Sequence, residues 1–351
     1  MRVIEIDGSA HSGSGTILRY AAALATLVGE PLSVRRIRAK RDKPGLRPQH
    51  VLALKACCAL SGGRLEGAEV GSQQVRYFPG QGIEGGIHQW DIGTAGSCTM
   101  VAFTLIPLAL FAKKPSRFSI TGGLFQDNAP SGFHMREVLL PLVRRMGGAV
   151  RLEILRPGYV PKGEGALRVE VEPIQRPLEP LRMTEQGEVK TIRGISLSSH
   201  LEQQRVSERM GRRCRELLGR RGYDAEVQIL HDSTASQRGA ALLLWAETDT
   251  GCVLGADQAG KPGRRSEAIA EFVVNSLLGD LETGATCDQH LADQLILFAA
   301  LARGVTEYRI PTRTEHVESN LWLVGEILGA TSVLSDGHLR IEGVGLVPPS
   351  H

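Results

Sequence analysis

Aromatic residues are scarce in this 351-residue chain, 5% of the total, so it offers no series of stacking platforms of the kind that grips a long single strand. Cysteines are few as well. The six, Cys57, Cys58, Cys98, Cys214, Cys252 and Cys287, form no CxxC pair, and a chain of this length needs no covalent staples, so reduced thiols are predicted. Long apolar runs are missing: MVAFTLIPLALFA has 13 residues, short of the roughly 20 a membrane helix needs. The first residues, MRVIEIDGSAHSGSG, lack the basic start and apolar stretch of a signal peptide, and a cytoplasmic protein away from membranes is expected. A large charge excess is absent too. With 41 basic and 38 acidic residues the net charge is +3, so any contact with nucleic acid must be local.

What the chain has is a 42% hydrophobic content, enough for a sizeable core in one large domain or two ordinary ones. It also has an internal repeat. HVLALKACCALSGGRLEGAEV, HMREVLLPLVRRMGGAVRLEIL and HVESNLWLVGEILGATSVLSDGHLRIEG each run histidine, amphipathic helix, glycine, then two short alternating strands. A further helix and strand precede each, as in SGSGTILRYAAALATLVGEPLSVRRI. The predicted fold class is α+β: three two-helix, four-stranded units form a large domain with helices on one face of each sheet. The histidines are unevenly spaced. His50 to His134 is 84 residues and His134 to His316 is 182, a surplus of 98 that predicts an insertion. The expected plan is a large domain over 1–185 and 283–351, and a smaller α/β domain over 186–282.

Several segments could carry chemistry. The turn DGSAHSGSGT, residues 7–16, presents small residues and backbone N–H groups ahead of a helix, which suits either a phosphate or simply a tight turn. RRIRAKRDKPGLRPQH packs Arg35, Arg36, Arg38, Lys40, Arg41, Lys43 and Arg47 into 13 residues, and its loop could fork guanidinium groups onto phosphate oxygens. The run from Arg209 to Arg221 reads as an exposed helix face. GTAGSCT, residues 93–99, is a second small-residue helix entrance, for ligand contact or for close packing between repeats. LADQL sets Asp293 and Gln294 in an apolar helix, where a buried carboxylate needs a partner. His316 follows the candidate N-cap Thr314, and at a helix entrance the dipole favours a neutral, nucleophilic ring. Yet His50 and His134 open the equivalent helices, so histidine there could be a habit of the fold.

Taken in order, DGSAHSGSGTILR, IRAKRDKPGLRPQH, GTAGSCT, LADQL and TEHVESN resemble the RNA 3'-terminal phosphate cyclase family over nearly the whole chain. The resemblance implies ATP-dependent conversion of an RNA 3'-phosphate to a 2',3'-cyclic phosphate, with His316 as the nucleophile. A covalent histidine-AMP and then an RNA(3')pp(5')A intermediate are implied, with a divalent metal (Mg or Mn) whose ligands the sequence does not assign. His290, Leu291, Ala292, Asp293, Gln294, Phe103 and Pro130 match nucleotide-contacting positions; Arg19, Arg38, Arg41 and Gln49 match positions that meet phosphates. The chain departs from the pattern at Ser12, where a glutamate is usual, at Phe103 in place of glutamine, at His290 in place of another aromatic, and at Glu164, amid what should be three glycines. Ser12 and Phe103 favour a rival reading, a silent relative acting as an RNA-binding or ribosome-assembly factor. An enolpyruvyl-type transferase would share the repeat but need no nucleophilic histidine.

Overall fold

The computed structural model describes residues 2–127 and 129–349. The first repeat runs β1 (Ile4–Asp7), α1 (Gly15–Val28), β2 (Leu32–Arg35), α2 (Pro48–Ser61), β3 (Arg64–Glu66) and β4 (Val75–Phe78), with sheet order β1-β2-β4-β3. Its first two strands are parallel and the other pairings antiparallel. The second repeat has the same order in β5 (Gly86–Asp91), β6 (Ser116–Gly122), β8 (Gly165–Glu172) and β7 (Ala149–Arg156). Its helices are α3 (Cys98–Leu110) and a broken one, in which α4 (Gly132–His134) passes through a π turn at Met135–Leu139 into α5 (Leu140–Arg145).

The third repeat opens with β9 (Arg182–Met183) and is then interrupted by β10 (Val189–Ser199), α6 (Val206–Gly219), β11 (Ala225–Asp232), β12 (Gly239–Thr248), β13 (Val253–Ala259) and α7 (Ser266–Glu282). These strands form their own sheet, β11-β10-β12-β13. The repeat resumes with α8 (Gln289–Leu301), β14 (Arg303–Arg309), α9 (Glu315–Leu328), β15 (Thr331–Ser335) and β16 (His338–Val344). Its sheet order, β9-β14-β16-β15, is again that of the first repeat.

Strands such as Ser116–Gly122 alternate buried and open positions, so their sheets turn one face to a helix layer, whereas β12 of the interruption is buried almost throughout. The helices of the repeats meet at the centre, where α1 touches α2, α3 and α9, and α8 touches α9. Ile17, Leu24, Ile106, Leu297 and Phe298 have no exposed surface there. Gly62 and Gly329 close α2 and α9 in the left-handed region, at φ 66° and 76°, where a β-carbon is costly. Glu164, a departure from the family pattern, also has a positive φ of 55°, so it occupies a position suited to glycine. In the interruption Arg209 and Arg213 of α6, and Arg221 in the turn after it, pair with Glu267, Glu271 and Glu282 of α7. The arginine run is thus an ion-paired seam between two helices, more tied down than the exposed face expected of it. Among the described residues no helix is long and apolar enough to cross a membrane.

Candidate functional site

Because the central helices converge, the entrances of α1, α2, α8 and α9 open onto one cleft of about 640 Å³, within the size range of small-molecule sites. The glycine-rich turn supplies its floor. Ser14 caps α1 by accepting the Thr16 N–H at 3.3 Å, and Ser14, Gly15 and Thr16 line the cleft, directing the positive end of the helix into it. A β-carbon on Gly15 would sit 2.0 Å from His50 Nε2, so only glycine lets α1 approach the buried His50 ring.

Four arginines add positive charge: Arg19, Arg38, Arg41 and Arg47 all line the cleft. Arg19 lies on α1 and is 7% exposed; burial lowers its pKa to about 10, and its Nη2 donates to Thr16 Oγ1 at 3.3 Å. Arg38 fastens the loop by donating to Lys43 O and Gly45 O, while Arg41 donates to Ser12 O at 3.1 Å. Arg35 and Arg36, in contrast, pair with Glu5 and Asp7 on the outside. The loop half of the cationic run thus faces the cleft while its strand half is neutralised. Of the cleft's two carboxylates, Asp127 is held by Arg264, leaving Asp293 facing the arginines. An anion is what this field favours.

Helix α8 presents His290, Asp293 and Gln294 to the cleft, spaced three and four residues apart on one face. Leu291 and Ala292, expected to join them, do not line it: the helical period turns both side chains into the core, where neither has exposed surface. Asp293 is pushed up to about 7, chiefly by burial, with Asp288 adding repulsion and Arg19 opposing the rise. Tyr20 and Asn320 both donate to its backbone carbonyl at 3.0 Å, which locks α8 against α1 and α9.

His316 lines the cleft from the first turn of α9, whose cap Thr314 accepts the Val317 N–H at 3.2 Å. Its Nδ1 is buried without a hydrogen-bond partner, 4.0 Å from Asp293 Oδ2, so Nε2 is the ring nitrogen left to meet a ligand. Burial and then the nearby Arg19 and Arg41 charges hold its pKa below the usual histidine value. The ring is therefore biased to its neutral, nucleophilic form.

Phe103 and Pro130 line the cleft with Met100 and Ala129, an apolar complement to the arginines. Phe103 packs on Tyr20 and Phe298, ring centroids 5.6 and 5.9 Å away. Gln49 also lines the cleft, and its Oε1 accepts the Ser97 N–H at 2.7 Å. That bond ties GTAGSCT to the first repeat, a packing contact between repeats. Ser12 is 5% exposed; its Oγ lies 2.8 Å from Ser319 Oγ, and its N–H donates to the same oxygen. Among the described residues no three His, Cys, Asp or Glu side chains converge to hold a metal ion. The cleft also contains Tyr20, Met100, Gln126, Asp127 and Ala129, which sequence reasoning did not single out. Tyr20 was recoverable as the neighbour of Arg19 and Met100 as the residue after GTAGSCT; the other three are brought in by a loop with no motif of its own.

The model of the family RNA 3'-terminal phosphate cyclase matches residues 10–334. A protein from Pyrobaculum neutrophilum named RNA 3'-terminal phosphate cyclase is 36% identical over 346 residues, 97% of this chain and 99% of its own. Proteins of that name from Archaeoglobus fulgidus and Pseudomonas fluorescens are 37% and 38% identical, covering 93% of this chain and 96% and 92% of their own. Among solved structures, the enolpyruvyl transferase NikO from Streptomyces tendae matches at 12% identity and a TM-score of 0.39, over 99% of this chain and 49% of its own, too slight a likeness to argue from. The chain that folds into this arginine-walled cleft is matched along nearly its full length and belongs to the RNA 3'-terminal phosphate cyclase family.

Proposed function

We propose that this chain is an ATP-consuming cyclase that converts RNA 3'-phosphate ends to 2',3'-cyclic phosphates. The observation that carries the reading is His316, held neutral at the edge of a cleft lined by four arginines. Its Nε2 attacks the α-phosphorus of ATP; the N–P bond forms as the bond to pyrophosphate breaks, giving a covalent histidine-AMP. With Nδ1 carrying the proton, the Asp293 carboxylate is the group placed to orient the ring once substrate draws the two together. Arg19, Arg38 and Arg41 steady the phosphates, and the α1 entrance adds its N–H groups. The RNA 3'-phosphate then takes AMP from His316 to give RNA(3')pp(5')A. Its own 2'-hydroxyl attacks the activated phosphorus, closing the ring and expelling AMP, a step made effectively intramolecular by holding the end still.

Met100, Phe103, Ala129, Pro130 and the His290 ring suit the base of the nucleotide. A magnesium or manganese ion would draw most of its ligands from the triphosphate, as such ions commonly do in nucleotide sites, because the described residues offer no three-donor set. The cytoplasm fits a chain with six free cysteines.

The test is incubation with ATP labelled at the α-phosphate and magnesium or manganese. The expected product is protein carrying label that is labile to acid and stable to base, lost in His316→Ala. Equal labelling of that variant would remove His316 as nucleophile. Binding of RNA ends with no label in the wild type would instead favour the silent RNA-binding relative.

A further inference from the structure

The cleft wall made by Gln126, Asp127, Ala129 and Pro130 belongs to the second repeat, yet much of what fixes it comes from the interruption in the third. Arg264, in the turn between β13 and α7, grips Asp127 with both guanidinium nitrogens, Nη1 to Oδ1 at 2.6 Å and Nη2 to Oδ2 at 2.8 Å. The arginine is itself pinned by Ala259 O at 2.5 Å and its side chain is 15% exposed. Lys261 Nζ stands 3.7 Å from the same carboxylate. Next along, the Ser131 N–H donates to Asp257 Oδ2 of β13 at 2.7 Å. From its own repeat the wall receives Thr99 Oγ1, which donates to Pro130 O at 2.9 Å, and a single bridge between Gln126 and Ala129.

The same strand reaches the other side of the cleft. Gly255 of β13 donates to Asp288 Oδ2 at 2.9 Å, while Asp288 Oδ1 caps α8 by accepting the His290 and Leu291 N–H groups. A β-carbon on Gly255 would lie 2.7 Å from Val138 Cγ2, so the strand is fitted closely against the second repeat. One strand thus spans both the base-side wall and the helix bearing His290, Asp293 and Gln294.

We infer that the inserted unit holds the base-side wall of the cleft, with Arg264 as a positioning residue that fixes Asp127, and with it Gln126, Ala129 and Pro130, for the incoming nucleotide. This rests on the reading that the cleft takes ATP. A paired, two-pronged arginine constrains orientation as well as distance, which a single backbone bridge or hydroxyl contact does not. Because Arg264 meets no reacting atom, its loss should weaken nucleotide capture and leave the chemical step intact.

The experiment measures self-adenylation against ATP concentration for wild type, Arg264→Ala, Asp127→Arg and the exchanged pair Asp127→Arg/Arg264→Asp. Arg264→Ala is expected to raise the half-saturating ATP concentration, the KM of this step, roughly three- to tenfold with little change in the limiting rate of labelling, the range for loss of a partly buried ion pair. The exchanged pair should recover most of that loss, which a generally weakened fold would not. An unchanged KM in Arg264→Ala, or an exchanged pair no better than Asp127→Arg alone, overturns the inference. Amide hydrogen exchange over residues 124–131 reads the clamp without any nucleotide. If the wild type fails to adenylate, the proposed function falls; faster exchange in Arg264→Ala, reversed in the exchanged pair, still supports the clamp, and unchanged exchange removes it.

Discussion

The entrances of α2, α4 and α9 look alike in sequence, each with a histidine, but their registers differ by one residue. In α4 the cap Ser131 accepts the N–H of His134, and in α9 the cap Thr314 accepts the N–H of Val317. In α2 the Nδ1 of His50 accepts the N–H of the cap residue, Arg47. His50 and His134 therefore occupy the third helical position, whose counterpart in α9 is Val317, fully buried. His316 is one place earlier, turned by about 100° around the helix axis toward the cleft. Its counterpart in the first repeat is Gln49, which also lines the cleft. Two histidines are consequently structural, 3% and 0% exposed, while the third is 44% exposed at its side chain. A shift of a single residue separates a core histidine from one open to a ligand.

The sharpest way to break this comparison is to move the histidine back. His316→Val/Val317→His restores the register of the other two repeats, and it should lower covalent labelling from ATP by at least about 10⁴-fold, as loss of a nucleophile does. Label retained within tenfold would mean that register is not what distinguishes His316. The next largest effect concerns the buried pair. His134 Nε2 lies 3.2 Å from both oxygens of Asp288, and His134→Leu should cost about 3 kcal/mol in urea unfolding because it strands a buried carboxylate. Burial opposes the His134 charge, but the Asp288 carboxylate beside it outweighs this and raises the pKa above 6.5. That contribution is complete below the ordinary imidazole pKa and is lost as pH rises through the higher folded value. The variant should lack this component of the pH dependence, and parallel wild-type and variant curves would refute the charged pair.

A smaller effect is expected at the first repeat. Gly15→Ala drives a methyl into His50 and should cost about 2 kcal/mol, most of it relieved in the His50→Ala background. Additive costs would show that His50 is not what demands glycine. The smallest effect is electrostatic. The acid limb of self-adenylation should lie below pH 6.5, since the neutral ring persists there, and Arg41→Ala should move it upward by removing one of the charges that lower the His316 pKa. A limb that stays where it was would leave burial and Arg19 as the causes.

Much of this could be read from the chain. The three repeats follow from hydrophobic spacing and closing glycines, because helix periodicity and left-handed caps are local properties written in neighbouring residues. The arginine loop and His316 were legible as dense or well-placed chemistry. Leu291 and Ala292 were not separable from His290, Asp293 and Gln294, since a motif names consecutive residues whereas a helix shows a ligand only one face. Gln126 and Ala129 had no signal because their place is set by Arg264 and Asp257, more than a hundred residues away.

By itself, then, the sequence determined the repeated α+β units, the interruption of the third and the stock of cationic and imidazole groups, all of them consequences of local periodicity and composition. Only the tertiary structure decided which of those groups face one cleft. Arg35 and Arg36 are neutralised outside while Arg38 and Arg41 turn inward, and Asp293 is brought within 4.0 Å of His316 across 23 residues of sequence. Burial, charge and distance at that point depend on how separate helices meet, which no single segment specifies.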